Sequence, residues 1–491
     1  MIMRERTTIF LEGSDRLINK FARYLFVLVF AFCLVCLFKT QVLQGTAWDT
    51  PSFVLGIIGT LIGLFLLFKL SLLKLSDRQA LLLLTLMGLM FLSLWNFFFR
   101  PVPVSDYQVL LEGARSIVDG TFKSQAARPS NYFRFYNFQI GYAYYLSLLM
   151  RLFGDRLLFF KIVEMIVMTG TTLVLYKTLR LFCDIHRSLF GAALFIFFPY
   201  MFIGAGIINN QHEGLLLEAL AIYFVLKRQS WSNLLIAAVC ITLAQVLRPT
   251  AVVVAISIVV TLIVQAIRQK SRQRLLQTVA FLGVFWCLGW LINNLFVLSG
   301  LAPYGIKVDN PYFKFLIGLT GTGVSGKPTT SARKTELYYD LKEYHFNYLL
   351  YKKAAAEKLK YVLIHGLNLQ YIMNRFTSFI GNVDNQFYLA GNQQFLDQHP
   401  IMVSSLNLSG ITVYGGMIFG TFRRVTAERW VTSRISYLLP AMVFVMFFFV
   451  YIFLETQARY RFELYYVLFI LAVPTIYEWM VKVQKKMFTL D

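Results

Sequence analysis

The chain has 491 residues, 57% of them hydrophobic, and a net charge of +22 from 47 basic and 25 acidic side chains. With a mean hydropathy of +0.60, this composition excludes a string of soluble domains, because many runs are long enough to cross about 30 Å of hydrocarbon. Backbone inside a bilayer must satisfy its own hydrogen bonds, and apolar runs without period-2 alternation leave the α-helix as the answer. The expected fold class is an all-α polytopic membrane protein.

In chain order the apolar runs lie near 21–43, 52–73, 80–99, 156–180, 188–207, 214–227, 232–248, 250–267, 276–298, 406–422, 435–454 and 463–480, about twelve spans. The first follows a basic segment as a signal peptide does, but it is long and lacks a clear small-residue cleavage site, so it reads as a retained helix. Residues 136–153 are also apolar, yet four tyrosines (Tyr136, Tyr142, Tyr144, Tyr145) suit an interface. That stretch is expected to lie on the membrane surface.

Orientation follows the short connections. Lys74 and Arg78, Arg180 and Arg187, Lys227 and Arg228, Arg268 to Arg274, Arg423 and Arg424, and Lys482 to Lys486 alternate with poorly charged turns. All fall on one side if both termini are cytoplasmic, as the enrichment of lysine and arginine in inner loops requires. The positive excess is then topogenic and membrane-facing, and no nucleic acid is implied. Four of the five cysteines lie inside spans and Cys183 in an inner loop, so no outer disulfide framework is expected.

The chain divides into 1–79, an N-terminal segment with two helices; 80–298, a membrane core with a first outer loop at 100–155; 299–405, a second large outer loop containing Asp384; and 406–491, the last spans and tail. Short inner connections and two long outer ones put the work of the protein at the outer face of the cell membrane.

Asp106 is the leading candidate. It follows the run that ends at Phe99, where a carboxylate is costly and functional by default. It also opens an amphipathic segment, with Val109, Leu110, Gly113, Ile117 and Val118 near one side, so an N-cap role is the structural alternative. A second polar cluster, Asn209, Asn210, His212 and Glu213, stands between two apolar runs. It suits a sugar, a phosphate or a metal, or simply a helix-connecting turn. A metalloprotease pair is excluded because Leu216 stands four residues after His212. Arg248, Arg459 and Arg461 oppose the orientation trend and suit an anionic ligand such as phosphate, with snorkelling to the interface as the alternative. The stretch from Gly321 to Lys327 nearly matches a nucleotide-binding loop, but Pro328 replaces the hydroxyl that would hold magnesium. Lys161, Glu164 and Glu218 are the main charges inside spans.

These residues, in order over roughly 95–480, resemble the GT-C glycosyltransferases, which take sugars from polyprenyl-phosphate carriers and include protein O-mannosyltransferases and aminoarabinose transferases. The likeness rests on Ser105, Asp106 and Tyr107 followed by Ala114 and Gly120; on Phe135 to Phe138 leading to Leu152, Phe153, Gly154 and Asp155; on Glu213 as a second outer acid; on Arg248 with Pro249; and on Gln457, Ala458, Arg459 and Tyr460. Two helices precede the usual first core span, and the usual prolines before the surface helix are missing. The resemblance implies an inverting transfer of sugar from an undecaprenyl-phosphate donor to a hydroxyl of a surface glycan or protein. Asp106 would be general base and Glu213 a second catalytic acid. Arg248, Arg459 and Arg461 would bind the donor phosphate. Tyr107, Tyr136, Asn137, Asn210 and His212 are the expected acceptor or sugar contacts. No cofactor is required on this reading, and a divalent metal near Glu213 stays open. A flippase for a lipid-linked saccharide and a glycan ligase or polymerase are the alternatives.

Overall fold

The computed structural model describes residues 20–36, 50–123, 132–303, 305–306, 319, 348–366, 369, 371–372, 391–426, 435–454 and 458–488. Its main helices are α1 (20–36), α2 (Thr50–Ser71), α3 (Asp77–Phe99), α4 (Asp106–Val118), α5 (Ile140–Phe153), α6 (Leu157–Arg180), α7 (Ile185–Ile196), α8 (Pro199–Gly206) and α9 (Asn210–Lys227). They continue with α10 (Trp231–Leu247), α11 (Ala251–Gln269), α12 (Arg272–Leu298), α13 (Tyr348–Tyr361), α14 (Gln393–Gln398), α15 (Pro400–Thr426), α16 (Ile435–Phe453) and α17 (Phe462–Phe488). No strand occurs among the described residues. The chain is an all-α polytopic membrane protein.

Eight of these helices, α2, α3, α6, α11, α12, α15, α16 and α17, are long and apolar enough to cross a bilayer. The pair α7 and α8 is apolar and long enough only when taken together, and it is bent by 50° at its break, as in a broken span or a re-entrant loop. The bend has a local cause: Pro199 has no N–H to continue the ladder, and Phe198 before it is extended, with φ −75° and ψ 115°. The other runs expected to span fall on α1, α9 and α10. Helix α9 carries Glu213, Glu218 and Lys227, and these charges make it less apolar than its neighbours. By contrast, the 14 residues of α5 rise only about 21 Å, too short to cross about 30 Å of hydrocarbon.

Helix α3 illustrates how the bundle meets lipid. A capping box of Ser76 and Gln79 starts it, and Arg100 in the left-handed region, with φ 47°, ends it. Leu84, Gly88, Leu92, Trp95 and Phe99 bury one stripe, while Leu82, Leu86, Met90 and Leu94 are exposed. An apolar exposed stripe is expected where the solvent is lipid. Gly88 lets α3 approach α6 closely, since a Cβ there would stand 2.9 Å from Thr169 Oγ1.

Side-chain bonds gather the basic helix ends together. Arg180 Nε donates to Asp77 Oδ1 at 2.8 Å, Arg187 reaches Glu478 at 3.5 Å, His186 Nδ1 lies 2.7 Å from the carbonyl of Ser71, and Arg274 donates to the carbonyl of Gln229. The opposite ends are joined by a separate set, described next.

Candidate functional site

At the end of the bundle away from those basic loops, α9 is held between α6 and α10, and its first turn is fixed by the Glu164 side chain of α6 and a backbone carbonyl at the end of α10. Asn209 caps α9, its side chain accepting from the Gln211 N–H at 2.8 Å. Asn210 donates to Gln139 Oε1 just before α5 and to the carbonyl of Leu247 at the end of α10, both at 2.9 Å. Asn209, Asn210, His212 and Glu213 are all buried. The turn is thus part of the interior and not a solvated connection.

His212 Nδ1 lies 2.6 Å from Glu164 Oε2. Glu164 Oε1 accepts from the Asn209 N–H at 3.2 Å and the Tyr142 hydroxyl at 3.3 Å. Burial first, and then the charges of Glu213 and Glu164, push the Tyr142 phenol well above its ordinary range, so it remains a hydrogen-bond donor. Among the described residues no group of three or more His, Cys, Asp or Glu is arranged to hold a metal.

One turn further along, Arg248 caps the C-terminal end of α10 and is 4% exposed. Its Nε lies 2.8 Å from Glu463 Oε1 and 2.7 Å from Thr250 Oγ1, and Thr250 in turn donates to Glu463 at 3.1 Å. The Arg248 Nη2 is buried and has no hydrogen-bond partner among the described residues. Gly214 brings α9 against the stem of this arginine, with a Cβ there only 3.2 Å from Arg248 Cβ.

Arg461 is wholly buried, its guanidinium 4.8 Å from the ring centre of Tyr200 and 5.5 Å from that of Tyr465. Snorkelling is therefore excluded for Arg248 and Arg461, because a snorkelling side chain keeps its charged head in water. The side chain of Arg459 lies outside the described residues, as do Asp384 and the 321–328 stretch.

Asp106 is half-buried and opens α4. The capping role is corrected: Ser105 holds the cap position, and no side-chain cap bond is made. Ser105 itself has φ 53° and ψ −130°, a conformation that costs about 1–3 kcal/mol and is kept only where its surroundings impose it. Tyr107 is buried in the face of α4 that packs on α5. Tyr136 is half-buried beside Tyr132, with ring centres 4.7 Å apart. Asn137 is buried and donates to the carbonyl of Gly305 at 3.1 Å.

The structure thus gathers Asn210, His212, Glu213 and Arg248, with Glu164 and Glu463, into one buried polar layer, while Arg461, two residues before Glu463, is packed on Tyr200 and Tyr465. Asp106 and Tyr107 stand on α4, which packs on α5. Sequence reading missed Glu463, although it lies two residues after Arg461 at the start of a span. Glu164 was visible only as an intramembrane charge, and Gln139 carried no signal at all.

The fold and this layer define a polytopic membrane protein that keeps acids, amides and arginines buried at one end of its helices. A known family, the dolichyl-phosphate-mannose-protein mannosyltransferases, matches residues 140–292. Over that stretch the match supports the GT-C resemblance and, with it, a membrane glycosyltransferase of that type. The matched stretch contains Glu164, Asn210, His212, Glu213 and Arg248, and stops short of Asp106 on one side and Arg461 on the other. No curated protein matches the chain.

Proposed function

We propose that the protein transfers a sugar from an undecaprenyl-phosphate donor to a hydroxyl of a surface glycan or protein on the extracytoplasmic face, with inversion. Arg248 is the observation that carries the reading. It is permanently charged, preorganised by Glu463 and Thr250, and left with a buried Nη2 that has no partner among the described residues. A preorganised guanidinium is suited to charge that develops on a leaving phosphate.

The reaction breaks the bond between the anomeric carbon and the phosphate oxygen and forms one to the acceptor oxygen. Asp106 takes the acceptor proton as general base. Arg248 and Arg461, with Arg459, meet the lipid phosphate as it departs, and Glu213 assists as a second acid. Tyr107, Tyr136, Asn137 and Asn210 border the acceptor and sugar. The donor is already activated, so no nucleotide is consumed. Both termini are cytoplasmic in this reading.

Purified protein is to be assayed with a panel of polyprenyl-phosphate sugars, with and without chelator. Transfer from one donor, unaffected by chelator, supports the reading. Movement of intact lipid-linked saccharide across vesicles without transfer favours the flippase, and loss of transfer on chelation favours a metal-dependent ligase.

A further inference from the structure

Glu164 has no role in the transfer described above, and His212 entered only as an expected acceptor or sugar contact, with neither its interacting atom nor its partner assigned. Both side chains are almost fully buried, at 2% and 0% exposure. Glu164 accepts from three separate donors: the Asn209 backbone, the Tyr142 hydroxyl and His212 Nδ1. A carboxylate so placed fixes the ring: the proton sits on Nδ1, and the lone pair on Nε2 points away from Glu164. Asn209 Nδ2 is 3.4 Å from Nδ1, too far to displace the 2.6 Å bond.

His212 Nε2 is buried and has no hydrogen-bond partner among the described residues. It faces Gly204, in the irregular turn Ile203–Gly206 where the bent pair stops being α-helical. A Cβ on Gly204 would stand 3.2 Å from Nε2 and 3.2 Å from Phe462 Cζ, so the glycine lets the turn come close to the imidazole and to the residue that joins Arg461 to Glu463. Irregular backbone at membrane depth is tolerated where it is enclosed by protein or lines a cavity.

We infer that Glu164 is a positioning residue that presents His212 Nε2 as a hydrogen-bond acceptor for one hydroxyl of the donor sugar. An unprotonated imidazole nitrogen takes a hydrogen bond from an O–H and repels a phosphate oxygen, so His212 selects on the sugar while Arg248 holds the phosphate. This inference rests on the proposed transfer reaction and adds to it the determinant of sugar choice.

The test uses synthetic polyprenyl-phosphate hexoses and, for the best of them, its monodeoxy forms. KM and kcat are measured for the wild type, His212→Asn, His212→Gln and Glu164→Gln, with melting temperature as a check on folding. The asparagine amide reaches Glu164 but not the Nε2 position, and the glutamine amide reaches the Nε2 position. His212→Asn should raise donor KM by about tenfold, the scale of one buried hydrogen bond. One monodeoxy donor should cost the wild type a similar factor and cost His212→Asn almost nothing further, while His212→Gln recovers most of the affinity. Deoxy effects that multiply with His212→Asn for every hydroxyl overturn the inference. Should His212→Asn not fold, the same non-additivity is required of Glu164→Gln, and its absence there is equally decisive. A wild type that turns over none of the panel overturns the transfer reading and this inference together.

Discussion

Arg248 and Glu463 form a 2.8 Å ion pair whose side chains are 5% and 3% exposed, tying the end of α10 to the start of α17 across more than 200 residues of sequence. Removing one partner leaves the other charged and buried, which costs about 3–5 kcal/mol. Arg248→Ala and Glu463→Ala should each lower the melting temperature sharply in detergent. Replacing both residues by methionine should restore most of the stability, since apolar pairs of similar volume substitute well for buried ion pairs. Transfer should stay lost in the double variant, which separates the structural role of the pair from the use of Arg248 on phosphate. Activity in the stable double variant rejects Arg248 as the phosphate ligand.

Asp106→Asn keeps shape and removes the base. Because Asp106 is half-buried and does not hold the cap position, melting should change little. Turnover should fall by about 10²–10⁴, the usual range for a general base. Radiolabelled sugar transfer measured beside a melting curve decides it, and wild-type turnover in the variant removes Asp106 from the mechanism.

Much of the fold was legible because lipid imposes a simple code. Runs such as 80–99 and 435–454 had to be helices, and Asp77–Phe99 and Ile435–Phe453 are helical. The bend at Pro199 was less legible, because proline is common enough in membrane helices that its presence alone does not say where a crossing breaks. The polar layer was half visible. Arg248, His212 and Glu213 stood out as costly residues near membrane boundaries, but their partners Glu164, Glu463 and Gln139 come from other helices. No local pattern announces a pairing such as that between Arg248 and Glu463, which only tertiary packing brings about.

Gly141 is where α5 meets α10: a Cβ there would run into the carbonyl of Val246. Backbone cannot give way as a flexible side chain does, so Gly141→Ala should destabilise by about 1–3 kcal/mol through overpacking. Gly416 on α15 has nothing within 4 Å of its Cβ position, and Gly416→Ala should be neutral or stabilise by about 0.5–1 kcal/mol. The pair of melting curves checks the closeness of α5 to α10, and equal effects at both positions contradict it.

Arg115 and Asp155 connect the helix that begins with Asp106 to the junction between α5 and α6, with Nε to Oδ2 at 2.7 Å and Nη2 to Oδ1 at 3.3 Å. The hydrogen bond to Asp155 raises the pKa of Arg115 above its ordinary value despite partial burial. Both side chains are nearly half exposed, at 47% and 44%, so solvent screens the pair and Asp155→Asn should cost less than about 1 kcal/mol. That cost should vanish near 1 M salt, where the screening length is about 3 Å. Transfer should suffer more than stability, because the bridge fixes where α4 stands and therefore where Asp106 points. A several-fold fall in kcat at unchanged melting temperature is the expected result, and an unaltered kcat shows that α4 is held by its apolar face alone.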